Sequence, residues 1–232
     1  MVDIVLDPGH GGTKNMGGSD ANHAVGPSGL LEKTVTLDIA KRVAKVLVAE
    51  GHNVVLTRTT DDNLGLSARA KVAAKIKAPV FVSIHFNGFD AKTQGTETFC
   101  HTNHFPRSEA LCKAVQAGAV GATGPKDRNN GGVKTMALGV LNPDSQNSAT
   151  ACVLLEVSFM DVAAEDARLQ TAAYKDKVAA GIAAGIKTYV GTLPNGNEGV
   201  PRRQLQDSFE ALNAGRAAAP EAVAAAQAKP GN

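Results

Sequence analysis

Three ionisable residues of this 232-residue chain fall where its sequence pattern puts the ends of β-strands: His10 in "LDPGHGGTKN", His85 closing "VFVSIH", and Glu156 late in "ACVLLEVSF". In open α/β sheets ligands bind beyond the carboxyl ends of the strands, so two imidazoles on neighbouring strand ends can aim at one point. Imidazole is the commonest metal ligand, and a catalytic zinc site takes three protein ligands and leaves one position for water. A third donor is then required. Glu32 is the candidate: it opens a long helical pattern directly after "GPSGLL", and the glycine-rich loop before it can fold that helix start back over the sheet end. The separations of 22, 53 and 71 residues along His10, Glu32, His85 and Glu156 match no local metal motif. Each residue therefore keeps a plain alternative, a solvated histidine at a strand end or a glutamate serving the helix dipole or a cap. Glu156 is the least easily explained, because a carboxylate in an apolar strand incurs a desolvation penalty unless it has a partner or a role.

Other chemistries fail on particular letters. "GHGGTK" places Lys14 where the last glycine of a dinucleotide-binding G-x-G-x-x-G would stand, and it has no Gly-Lys-Ser/Thr ending, so a phosphate cradle is set aside. "GPSGL" has Leu30 where the nucleophile elbow G-x-S-x-G needs glycine, which removes a serine hydrolase. His101 and His104 in "HTNH" form a loose alternative metal pair at an exposed strand end, while His23 and His52 read as solvated. Arg69 and Arg128 read as surface charges, with contact to an anionic substrate or orientation of a carboxylate as the other role open to them.

The elements that must position these residues alternate between β-branched runs and helical periodicity, which predicts an α/β fold: a single domain with a mostly parallel twisted sheet of about five to six strands flanked by helices. Strands are expected at 3–7, 53–58, 80–85, 96–102 and 151–159, and helices at 32–50, 66–77, 107–122 and 171–190. In the first helix Val35, Ile39, Val43 and Val46 form the apolar stripe and Gly51 the stop. The stretches 11–29 and 127–132 read as loops. Residues 1–191 are expected to form the catalytic domain. Residues 192–232 read as a linker, a short amphipathic helix carrying Leu205, Phe209 and Leu212, and an Ala/Pro-rich tail with little to bury.

Composition narrows the partners. With 24 Lys and Arg against 22 Asp and Glu, the formal charge of +2 argues against nucleic-acid binding by phosphate neutralisation. No apolar run approaches the roughly 20 residues that span a bilayer, and the opening residues read as a strand rather than a signal peptide. Cys100, Cys112 and Cys152 have neither zinc-knuckle nor redox spacing and are expected as free thiols, Cys152 in the core.

With "LDPGHGG", "GLLEKTVTLDIAKRVAKVL", "TR", "SIHFNG" and "LLEVSFM" in this order, the chain resembles the zinc-dependent N-acetylmuramoyl-L-alanine amidases of the amidase-3 type, over roughly residues 2–191. That resemblance implies one zinc ion held by His10, Glu32 and His85, Glu156 as the catalytic acid or base, and peptidoglycan as substrate, cut between the lactyl group of N-acetylmuramic acid and L-alanine. It also implies action on the cell wall by a monomer, either as a phage lysin released through a holin or as a hydrolase processed from a longer precursor. Departures from the family pattern are Phe86 after "SIH", Ala73 and Ala74 where "AN" is common, and a "DRG" element stretched to "DRNNGGVK" around Arg128. The 70 residues between His85 and Glu156 leave little room for the plugging helix of some family members, so an open site is expected. A zinc peptidase cutting within the stem peptide and a non-catalytic peptidoglycan-binding module stand as the alternative functions.

Overall fold

The structure is a computed structural model that describes residues 1–124 and 126–194. Strands β1 (Asp3–Pro8), β2 (Asn53–Leu56), β3 (Val80–Asn87), β4 (Glu97–Cys100), β5 (Lys134–Thr135) and β6 (Ala151–Phe159) form one sheet in the order β2-β1-β3-β6-β4-β5. The first four strands in that order run parallel, while β4 pairs antiparallel to β6. All six residues of β1 are buried, as are the first five of β3 and of β6, which is why these segments read as continuous apolar runs rather than alternating ones.

Helices α1 (Glu32–Ala49), α2 (Leu66–Ile76), α3 (Arg107–Thr123), α4 (Ala163–Leu169) and α5 (Ala172–Val190) complete the domain. The two faces of the sheet are covered unequally. Ile4, Leu6, Val82, Ile84, Val153 and Leu155 pack with α1, α3 and α5 in the larger core, whereas Val5, Phe81, Cys152 and Leu154 meet α2 and the 3-10 turn Gly139–Leu141 in a smaller one. His85 and Glu156 alternate onto this thinner side, continuing the rows of Phe81 and Leu154 past the end of α2's cover.

The strands and helices expected within residues 1–191 are all present, with one boundary difference of note. The strand expected at 96–102 stops at Cys100 because residues 101–104 close a turn, His104 N donating to His101 O at 3.0 Å, before α3 begins. β5 and α4 were not foreseen: two residues carry no alternation to detect, and seven make only about two helical turns. The linker, helix and tail expected at 192–232 lie outside the described residues beyond Pro194, and so do Leu205, Phe209 and Leu212. Among the described residues no helix is long and apolar enough to cross a membrane. All three cysteines are free and buried, Cys152 among the small core.

Candidate functional site

His10 sits in the turn that follows β1, with φ at 61°, in the left-handed region that side chains adopt at a cost of about 1–3 kcal/mol. Such a conformation persists only where its surroundings hold it. Here two buried arginines do so through the turn's carbonyls: Arg69 donates to the oxygens of Pro8 (2.7 Å) and His10 (2.7 Å), and Arg58 to those of Pro8 (3.0 Å) and Gly9 (2.8 Å). Arg69 is itself paired at 2.9 Å with Asp7, which is fully buried and also accepts hydrogen bonds from Thr57 and Ser83. Burial pushes the Asp7 carboxyl up, but the Arg69 guanidinium and the two hydroxyls outweigh it and leave its pKa below 3.8. Burial, reinforced by the charge of Arg69, brings Arg58 down to about 10.

Arg69 is therefore not a surface charge, the first of its two expected roles; only 1% exposed, it orients a carboxylate and braces the turn. Arg58, Asp7 and Thr36, whose hydroxyl also donates to Gly9 O, were not singled out from the sequence. The only signal for Arg58 was its place in the short "TR" element.

The ring of His10 is fixed by Asp20, whose carbonyl faces Nδ1 at 3.0 Å. A carbonyl only accepts, so Nδ1 carries the proton and a neutral ring presents the lone pair of Nε2. That lone pair faces Glu32 Oε1 at 3.1 Å, and the same oxygen lies 3.1 Å from His85 Nδ1. Glu32, at the first position of α1, is held by two backbone donors, Phe86 N to Oε1 at 3.0 Å and Ala24 N to Oε2 at 2.9 Å. The loop 11–29 thus folds the helix start over the sheet end. His85 swings under the preceding turn through space that a side chain would fill: a Cβ on Gly9 would lie 2.3 Å from the His85 ring.

Two imidazole nitrogens and a carboxylate oxygen, all within 4.8 Å of one another, are placed to bind a metal ion. The electrostatics agree, since acceptor atoms converge where only a proton or a cation relieves their repulsion. Burial favours a neutral Glu32 but the two histidines prevail and hold its carboxyl well below the ordinary range. His10 is raised, its burial outweighed by Glu32, whereas His85 is lowered because burial dominates.

Glu156 pairs in register with His85 on β3 and with Glu97 on β4, so the three side chains form one row across the sheet. Its Oε2 is buried and has no hydrogen-bond partner among the described residues. Desolvation, then the negative charges of Glu32 and Glu97, push its pKa well above 4.5. Glu97 is balanced by Arg128, at 2.8 Å, and by Lys134. Arg128 accordingly takes the carboxylate-orienting role that was open to it.

The remaining histidines separate from the site or stand at its margin. His104 is engaged by Glu109 at 3.0 Å and by His101 O, and His101 Nδ1 accepts from Asn103 N, so "HTNH" does not assemble a metal pair. His23 is exposed, as expected, and stacks on the His10 ring at 6.3 Å. His52 is half-buried rather than solvated. The span between His85 and Glu156 holds β4, α3, β5 and the 3-10 turns, and α3 packs into the larger core on the opposite face of the sheet from the His85 and Glu156 side chains.

Comparison with known proteins supplies independent evidence. The family model described as N-acetylmuramoyl-L-alanine amidase matches residues 4–188. The chain is 38% identical over 188 residues to the N-acetylmuramoyl-L-alanine amidase LytC of Bacillus subtilis, a match covering 80% of this chain but 35% of LytC. It is 30% identical to AmiA of Escherichia coli, over 80% of this chain and 75% of AmiA. The catalytic domain of CwlV, an N-acetylmuramoyl-L-alanine amidase from Bacillus (Paenibacillus) polymyxa var. colistinus, superposes with a TM-score of 0.71 at 35% identity, covering 83% of this chain and 100% of that domain. A family match spanning both histidines, Glu32 and Glu156, together with the shared fold, means that this chain belongs to the N-acetylmuramoyl-L-alanine amidase family.

Proposed function

We propose that the chain hydrolyses the amide between the lactyl group of N-acetylmuramic acid and L-alanine in peptidoglycan, with zinc held by His10, Glu32 and His85 and with Glu156 as the catalytic acid and base. The observation that carries this reading is the placement of Glu156, whose buried Oε2 has no hydrogen-bond partner among the described residues, in register with His85 and beside three converging ligand atoms. Bound zinc would supply Lewis-acid polarisation of the scissile carbonyl and a lowered pKa for an attacking water.

The protein side of the chemistry falls to named atoms. His10 is kept in one tautomer by Asp20 and His85 in one position by Glu32, so neither ligand needs to reorganise. Glu156 takes the proton of the attacking water and returns it to the departing amine of L-alanine. A carboxyl whose surroundings favour the protonated form suits the second half of that task. We take a monomer as the acting species.

The substrate places the activity at the cell wall, in the periplasm or outside the cell. We place the catalytic domain within residues 1–191, with 192–232 as an accessory segment. Mass spectrometry of muropeptides after digestion of purified sacculi tests the assignment: intact stem peptides with free L-alanine amino termini are expected. Cleavage between stem residues would establish a peptidase instead, and binding without cleavage a non-catalytic module.

A further inference from the structure

Arg128 is built into the rim of this site more firmly than its pairing with Glu97 requires. Its Nε donates to Glu97 Oε1 at 2.8 Å, and its guanidinium carbon stands 5.1 Å above the centre of the Phe159 ring. The stem reaches this position by passing over Gly95, where a Cβ would lie 2.6 Å from Arg128 Cγ and 2.8 Å from Cδ. One edge and one face of the guanidinium are thus occupied, while neither Nη1 nor Nη2 makes a hydrogen bond among the described residues. The side chain remains 29% exposed. A planar fork held at its Nε end with both terminal nitrogens free is the geometry that receives a carboxylate through two parallel hydrogen bonds.

Position and charge point the same way. Glu97 faces Glu156 across the β4–β6 pair, and Phe159 pairs with Asn87, two residues beyond His85 on β3. Arg128 is therefore moored to the strands that carry the proposed catalytic row. Glu97 supplies one negative charge against the two positive charges of Arg128 and Lys134, leaving a surplus cation beside the site. In the substrate of the proposed reaction the lactyl carboxyl is consumed in the scissile amide, so any free carboxylate belongs to the peptide side.

We propose that Arg128 is a specificity-determining residue that binds a free carboxylate on the peptide side of the scissile bond. This rests on the amidase reading for the identity of the ligand. The alternative is that Arg128 merely holds Glu97 in place.

Calorimetric titration of the zinc-loaded full chain carrying Glu156→Gln separates the two. The ligands are N-acetylmuramoyl-L-alanyl-D-glutamate and its dicarboxamide, in which both glutamate carboxyls are converted to amides. The acid is expected to bind about tenfold more tightly, in line with a charge-assisted bidentate pair. Adding Arg128→Gln should erase that difference and leave the affinity for the dicarboxamide within about twofold, and Arg128→Lys should restore part of it. Equal affinities before the Arg128 change, or an equal loss for both ligands after it, would overturn the proposal. Failure of the amidase reading shows separately, as absence of new L-alanine amino termini when the unsubstituted chain is incubated with sacculi.

Discussion

Glu156 stands directly opposite His85 in the parallel pairing of β6 with β3, yet its Oε2 has no hydrogen-bond partner among the described residues while both oxygens of Glu32 are occupied. Two glutamates close to the same histidine are thus treated differently, one ionised and anchored, the other kept uncommitted. The contrast supports the roles proposed for them, Glu32 as ligand and Glu156 as proton carrier. Glu156→Gln should lower peptidoglycan hydrolysis by about 10²–10⁴-fold, the range for removing a general acid–base. Zinc content, measured by atomic absorption, should not change. Retained hydrolysis would remove Glu156 from the mechanism.

His10→Ala and His85→Ala should instead lose zinc itself, and activity with it. Chelation of the unsubstituted protein should abolish hydrolysis, and added zinc should restore it. Full zinc stoichiometry in both variants would refute the ligand set.

Gly9→Ala tests the space beneath the His10 turn. The new methyl would meet three ring atoms of His85 between 2.3 and 2.6 Å, and the ring must rotate away from Glu32. Zinc affinity, read by competition with a chelator of known affinity, should fall by at least about tenfold, the scale of effect seen when a ligand's support is removed. A variant with the original affinity would show that His85 does not need this position.

Asp7 and Arg69 should contribute to the acid stability of the domain. Replacing Arg69 by Met leaves a buried carboxylate unpaired, a loss of about 3–5 kcal/mol. That corresponds to a fall on the order of 10 °C in Tm. Because the folded pKa of Asp7 is depressed, its contribution is complete above the unfolded value of 3.8 and is lost as pH falls through the lower folded value. Asp7→Asn should therefore flatten the stability curve below about pH 4, and a denaturation profile of unchanged shape would contradict this.

The accessory segment makes a simpler prediction. Deleting 201–232 should leave hydrolysis of soluble muramoyl peptides intact and at most weaken action on whole sacculi. Collapse of both activities would move the proposed boundary.

Much of this architecture was legible in the letters because central parallel strands leave continuous apolar runs, and α1 announces itself through Val35, Ile39 and Val43 with a stop at Gly51. His10, Glu32 and His85 were legible for a related reason: chemistry in this kind of sheet collects at strand ends, and their side chains do meet. Arg58 and Asp7 were not, because a charged residue buried in a strand–helix junction is spelled the same as a solvated one, and only the third dimension distinguishes them. The row from His85 through Glu156 to Glu97 was hidden as well. It depends on β4 running antiparallel, and nothing in "TETFC" sets strand direction.

The bracing of the His10 turn makes two residues outside the candidate ligand set part of its geometry. Arg58 and Arg69 tie the carbonyls of Pro8, Gly9 and His10 to the body of the domain. A left-handed backbone at His10 is costly and persists only while such ties hold it. The aim of the His10 ring is thus set from behind, by guanidinium groups buried beneath the turn.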